Sequence, residues 1–270
     1  MSRIKLGIDA GGTLLKIAYE EGGRLHFKKF PTVEAGGAVT WIKMSQPDAS
    51  VTLTGGKAEL LKRHFFSSAR VVPEFAASCT GADFLQKQSK ALIEGKYLLV
   101  NIGTGTSFYI VDGYKHERVL GSGLGGGSFL GLGCLLTGES EFAKLVQLAT
   151  AGEKGNADLL VKDVYTPAEP PIDGNLTAAN FANSNIKGSS AGDRAASLIN
   201  MIAETLILLG VQTASLHKTK HVAFIGSTLS ANLPMKNALK HFAQMTGLQS
   251  IFIPNGEYSG AVGALMLDDK

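Results

Sequence analysis

Two stretches of this chain follow one plan. Residues 6–30, LGIDAGGTLLKIAYEEGGRLHFKKF, and residues 98–120, LLVNIGTGTSFYIVDGYKHERVL, each run as an apolar strand, a polar residue, a Gly/Thr turn, a second strand, a glycine turn and a third strand. Asp9 answers to Asn101. Glu21-Gly22-Gly23 and Asp112-Gly113 are hairpin signals, because glycine reaches positive φ without steric cost. The parallel continues in SVTLTGG (50–56) and HVAFIGS (221–227), each followed by a helical stretch, at 57–67 and 232–246. ARVVPEF (69–75) and QSIFIPNGE (249–257) then read as short strands that stop at a polar residue and lead into small-residue helices. Successive elements matching in order favour a duplication over two unrelated α/β segments, and the expected order is βββαβα, twice. Two such lobes, residues 1–95 and 96–270, each built on a mixed sheet, leave a cleft between them, which is where small ligands bind.

The second lobe carries an insertion, residues 121–220. SEFAKLVQLATAG and DRAASLINMIAETLILLGVQTASL place apolar residues at spacings of three and four, the helical period. DVYTPAEPPIDGNLTAANFANSNIKGSS reads as loop with a short helix, given its prolines and its Asn, Gly and Ser content. At 270 residues, 44% hydrophobic and 18% charged, the chain has the composition of a folded globule. Its formal charge of +3 is spread without a basic stripe, which argues against nucleic acid as a partner. No apolar run is expected to reach the roughly 18 residues of a spanning helix, and Asp9 interrupts the first apolar stretch, so a cytoplasmic protein without membrane contact is expected. Cys79 and Cys134 form no metal-binding pair and read as small buried hydrophobes. The six histidines are isolated and suggest no metal site, and Asn175-Leu176-Thr177 matches a glycosylation acceptor by accident.

Turning a strand through Gly11-Gly12 or Gly103-Thr104-Gly105 uncovers main-chain N–H groups, and a concave set of such donors binds anionic oxygen. Either turn alone reads as a tight hairpin. At equivalent points of twin lobes, the two read as a clamp for polyphosphate, with Asp9 placed to hold Mg²⁺ directly or through water, and Thr13 and Lys16 as further donors. A third cluster, GSGLGGGSFLGLGCLLTG (121–138), places three glycines ahead of a helix whose free N–H groups and dipole would favour phosphate; close packing is the alternative. Glu74, between Pro73 and Phe75 at a strand end facing the cleft, is either a solvated carboxylate or a partly desolvated one fit to take a proton from an alcohol. Arg118 is either a bidentate partner for a substrate carboxylate or a surface residue.

GIDAGGTLLK and NIGTGTS resemble the two phosphate turns of the actin, hexokinase and heat-shock chaperone superfamily. More specifically, PEFAAS, NIGTGTSFYIVDG, GSGLGGGSFLGLGCLLTG, NLTAANFA and FIGSTL, in this order, resemble the type II pantothenate kinases, from about residue 4 to 267. The resemblance implies an α/β protein of two actin-like ATPase lobes with an ATP cleft between them. It implies a homodimer that phosphorylates the primary hydroxyl of pantothenate with ATP and Mg²⁺, the entry to coenzyme A synthesis. Whether coenzyme A or its acyl esters inhibit then depends on how open the pantothenate pocket is. Carried over by position, Asp9, Ala10, Gly11, Gly12, Thr13, Leu14, Leu15 and Lys16, with Thr104, Gly126, Gly127, Ser128, Phe129, Leu130, Phe142 and Ser227, fall on ATP-contacting segments. Glu74 falls on the catalytic base and Arg118 on a pantothenate-contacting arginine. Two positions depart from the pattern. Ala76 stands where members commonly carry Asp, and Phe142 replaces a nucleotide-stacking tyrosine, keeping a flat ring.

Two rivals remain. A sugar or N-acetylhexosamine kinase of the same superfamily would use an Asp base from an Asn-Asp or Gly-His-Asp pattern, which is missing at a suitable place. A nucleotide-gated regulatory protein would need partner-binding elements, and none is visible.

Overall fold

The computed structural model describes residues 4–89 and 92–267. In the first half β1 (Lys5–Ala10), β2 (Leu14–Glu21) and β3 (Arg24–Pro31) form a meander; α1 (Ala35–Ser45) then leads to β4 (Ser50–Thr54), α2 (Ala58–Phe65), β5 (Arg70–Val71) and α3 (Glu74–Ser89). In the second, the meander is β6 (Tyr97–Ile102), β7 (Thr106–Asp112) and β8 (Lys115–Ser122). After it come α4 (Gly126–Thr137), α5 (Phe142–Ala151), a ribbon of β9 (Leu159–Leu160) and β10 (Thr177–Ala179) around α6 (Val161–Tyr165), and α7 (Ala191–Leu216). The half closes with β11 (His221–Ile225), α8 (Leu233–Met245), β12 (Gln249–Phe252) and α9 (Ser259–Met266).

The five-stranded sheets have the orders β3-β2-β1-β4-β5 and β8-β7-β6-β11-β12, and in both the meander is antiparallel while the later strands run parallel to the first. The topology is therefore the same twice over. The first half carries one helix more than the βββαβα expectation, α1, which joins β3 to β4; in the second, α7, the long helix expected within the insertion, stands at the corresponding place before β11. Two adjacent glycines, Gly36 and Gly37, weaken the helical signal of α1 by roughly 1 kcal/mol each relative to alanine. The helix is held instead by burial of Ala38, Val39 and Ile42, two of which join the core of the first sheet.

By length and composition α7 is apolar enough to cross a membrane, against the expectation that no segment would be, and 56% of its most apolar window lies inside the protein. Its Leu198, Ile202, Leu206 and neighbours fill the core of the second lobe, as the stripe of small-interval apolar residues requires. Cys79 is fully buried, whereas Cys134 is only half-buried. The Asn-rich loop tract is ordered around a fully buried carboxylate, Asp158. It accepts from the Phe181 N–H at 2.9 Å and the Thr177 hydroxyl at 3.2 Å, and also from the Ser197 hydroxyl on α7.

Between the two sheets, α3 and α9 cross in close contact. A Cβ at Gly81 would lie 1.8 Å from the Ser259 carbonyl oxygen, and one at Gly263 would lie 1.7 Å from that of Ala77, so only glycine permits this approach. A third core, including Cys79, Leu99, Tyr109, Ile225 and Val262, joins these helices to the second sheet. Although α9 belongs by chain order to the second half, it packs on β1, β2 and β4 of the first sheet. A division of the chain at residue 95 does not convey that exchange.

Candidate active site

The two Gly/Thr turns approach each other from opposite lobes until the hydroxyl oxygens of Thr13 and Thr104 lie 3.4 Å apart. Beside them opens a cavity of about 690 Å³ whose walls include Asp9, Gly11, Gly12, Lys16 and Glu74 from the first half and Asn101, Thr104 and Arg118 from the second. Each turn is braced: the Thr32 hydroxyl donates to the Gly11 carbonyl at 3.0 Å, and the Thr228 hydroxyl to the Gly103 carbonyl at 2.8 Å. Among the described residues, no main-chain carbonyl outside the strand ladders takes the N–H of Gly12, Thr13, Thr104 or Gly105. Those amides are open donors for an anion.

Asp9 and Lys16 are directly paired across β1 and β2, which puts them on one face. Lys16 Nζ donates to Asp9 Oδ2 at 3.2 Å, with the two side chains only 13% and 14% exposed. Glu74 is the first residue of α3 rather than the last of a strand, so its carboxylate projects from a helix N-terminus on the cavity wall. Glu74 as a residue is exposed to the cleft, although the protein around its carboxyl displaces part of its hydration. Burial is thus the main cause that raises its pKa; the negative charge of Asp9 adds to this, and Lys16 and Arg118 oppose it.

Arg118 reaches the same cavity through strand irregularity. It pairs with Tyr109, whereas Leu120 pairs with Phe108, so Val119 is an extra residue in the ladder. Residues three apart in a regular strand lie on opposite faces; the bulge puts Gly121, opposite Ser107, on the same face as Arg118. The guanidinium lies across Gly121, where a Cβ would come within 2.3 Å of Nη2, and stands 5.3 Å from the centre of the Phe75 ring.

A second cavity, of about 380 Å³, shares Thr13, Leu14, Gly103, Thr104 and Ser227 with the first and adds Gly126, Gly127, Leu130 and Phe142. At the N-terminus of α4, where open amides were one expectation and close packing the other, the N–H groups of all three glycines already have partners. The Gly126 N–H donates to the Gly103 carbonyl at 2.8 Å, the Gly127 N–H to that of Thr104 at 2.8 Å, and the Gly125 N–H to Ser128 Oγ at 2.8 Å. A Cβ at Gly125 would sit 2.8 Å from the Thr104 carbonyl oxygen, so the three glycines serve to dock α4 against the second turn. Other expected contacts also lie away from the cavities. Ala10 and Leu15 are buried in the first lobe's core, Phe129 in the second's, and Ser128 Oγ is spent on the Gly125 cap. Phe129 meets Phe142 edge-on, with ring centres 5.5 Å apart, and so supports the ring that faces the cavity.

The family model of Fumble matches residues 18–267. The type II pantothenate kinase of Oceanobacillus iheyensis is 40% identical over 263 residues, covering 97% of this chain and 98% of that relative. This chain belongs to the type II pantothenate kinase family. Another member, the type II pantothenate kinase of Staphylococcus aureus, is 33% identical, covering 98% of this chain and all of the relative. Among solved structures, component A of the Acidaminococcus fermentans (R)-2-hydroxyglutaryl-CoA dehydratase superposes with a TM-score of 0.68 at 18% identity, covering 98% of this chain and 97% of that one. A ROK family glucokinase from Streptomyces griseus, solved with glucose and AMPPNP, superposes with a TM-score of 0.58 at 14% identity, covering 98% of each. At such identities these two share the fold.

Within this type II pantothenate kinase family member, several cavity residues escape a reading of motifs. Ser78, only 3% exposed, lines the larger cavity one helical turn after Glu74. Ser107 lines it beside Arg118. Lys29 lines the smaller cavity and pairs with Lys16 across β2 and β3. The two-residue turn Gly22-Gly23 sets that register, so Lys29 was in principle readable from the hairpin.

Proposed function

We propose that this chain transfers the γ-phosphoryl group of ATP to the primary hydroxyl of pantothenate, giving 4′-phosphopantothenate. Family membership supports the reaction. The meeting of two amide-bearing turns beside a carboxylate of raised pKa supports the site assignment most. The adenosine would occupy the smaller cavity against Phe142, with the phosphates between the turns. Amides of both turns and Lys16 Nζ stabilise the charge that spreads over the transferring group. Glu74 accepts the proton of the pantothenate hydroxyl as that oxygen attacks phosphorus, and its raised pKa brings it nearer to the working pH. Arg118 pairs with the pantothenate carboxylate and fixes the orientation of the acceptor.

Among the described residues no cluster of three or more His, Cys, Asp or Glu could hold a metal alone. Asp9 would be the residue to hold Mg²⁺, an ion that is bound through one or two carboxylates together with substrate phosphates. When bound, the ion neutralises phosphate charge. The reading extends to a cytoplasmic homodimer, checked by sedimentation, and to coenzyme A or its acyl esters as inhibitors entering the open cavity, checked by titrating acetyl-coenzyme A into the assay.

The test is ADP formation with pantothenate, with N-acetylglucosamine and with no acceptor. Turnover with pantothenate alone is expected; consumption driven by the sugar, or none with any acceptor, refutes the reading. In Glu74→Gln, kcat should fall by about 10²- to 10⁴-fold while ATP binding persists.

A further inference from the structure

On the cleft face of the first sheet, Asp9, Lys16 and Lys29 stand in one row across β1, β2 and β3. Lys16 answers Asp9 within the row. Lys29 answers across the cleft: its Nζ lies 3.5 Å from Glu257 Oε2 and 3.5 Å from Ser230 Oγ, both of the second half. Two residues earlier on the same face, Phe27 stacks on Tyr258 with ring centres 4.6 Å apart and planes inclined by 21°. The edge of β3 therefore grips the short helical turn Gly256–Tyr258 by an aromatic contact and an ion pair side by side.

The position of this grip gives it a consequence for the ligand. Among the described residues the first half contributes Thr13, Leu14 and Lys29 to the wall of the smaller cavity, while Ser230 and Ala231 stand among the residues opposite. A ligand there is held by both halves and leaves when they part. We propose that Lys29 and Glu257 form a latch between the halves, at the edge of the nucleotide cavity that Lys29 lines, that slows release of the nucleoside diphosphate product. The proposal rests on the nucleotide reading of that cavity. Glu257 is 17% exposed and Lys29 46%, so the pair is partly screened by water and tunes the lobe contact without creating it.

Release of a fluorescent ADP analogue, followed by stopped flow in the full chain, tests it. Lys29→Met and Glu257→Gln should each speed release by about 1.5- to 5-fold, and the double variant should be no faster than either single one. The charge swap Lys29→Glu with Glu257→Lys should restore slow release. Added salt should speed release from the original protein more than from the variants. Without nucleotide, hydrogen exchange at residues 25–30 and 256–258 should quicken in both single variants. If the analogue does not bind the original protein, the nucleotide reading falls while exchange still decides whether the latch exists. Unchanged exchange overturns the latch. So does a large effect of Lys29→Met beside a silent Glu257→Gln, because that pattern marks Lys29 as a direct phosphate ligand.

Discussion

Glu74 sits in a field set by three neighbours of known sign: Asp9 raises its pKa, and Lys16 and Arg118 lower it. A general base works only when ionised, so kcat/KM should fall on the acid side through the raised pKa of Glu74. Removing a cation that favours the ionised form must move that limb to higher pH. Arg118→Met should shift the acid limb of the pH profile upward, besides raising KM for pantothenate; a limb that stays in place would mean that Arg118 does not act on the base. At this scale the sequence was informative about placement. That the Asp9–Lys16 turn and Glu74 face one cavity was legible because a glycine pair and a carboxylate at a strand end mark the mouth of a cleft. Ser78 and Asp158 were not, because their roles depend on which distant segment is brought against them.

Among elements, β8 and α7 show how local backbone features position charged side chains. The bulge at Val119 puts Gly121 beneath the Arg118 guanidinium. In Gly121→Ala the new methyl would push that flexible side chain aside without disturbing the core. KM for pantothenate should rise by about tenfold, equivalent to ~1.4 kcal/mol, with the folding transition unchanged. At the start of α7, Asp193 accepts from the Glu153 N–H at 2.8 Å and the Ser190 N–H at 2.9 Å, and its own N–H donates to Ser190 Oγ at 3.1 Å. These bonds, that from Glu153 foremost, hold its pKa at about 2, below the ordinary 3.8, although burial opposes them. Its contribution is therefore complete above about pH 4 and is lost as the pH falls towards about 2. Asp193→Ala should cost about 1.5 to 3 kcal/mol in urea unfolding at pH 7, and the difference from the original protein should shrink in acid. By composition Ser190 falls in the loop tract, so this capping box, Ser190 to Asp193, was missed, as was the bond from Glu153. At the glycines before α4, composition left phosphate binding and close packing open, because it does not say whether an N–H is free or already taken by Gly103 and Thr104.

For the molecule as a whole, the twin sheets were legible because both meanders keep the same strand and turn grammar. The helices between them were less so: α1 is a helix only by virtue of what it packs on, and the exchange of α9 onto the first sheet has no signature in its own residues. Since a nucleotide would touch both halves, saturating AMPPNP should stabilise them as one unit. At about 100 times its Kd the gain is ~2.7 kcal/mol, seen in calorimetry as a single transition moved upward; two transitions, only one of them shifted, would contradict the shared site. The crossing of α3 and α9 also bears on how the molecule is born. Emerging from the ribosome, β1, β2 and β4 lack the cover that α9 brings much later in the chain, so one face of their sheet must wait, bare and apolar, until that helix has been made. The glycines that let the two helices touch then allow α9 to seal that face.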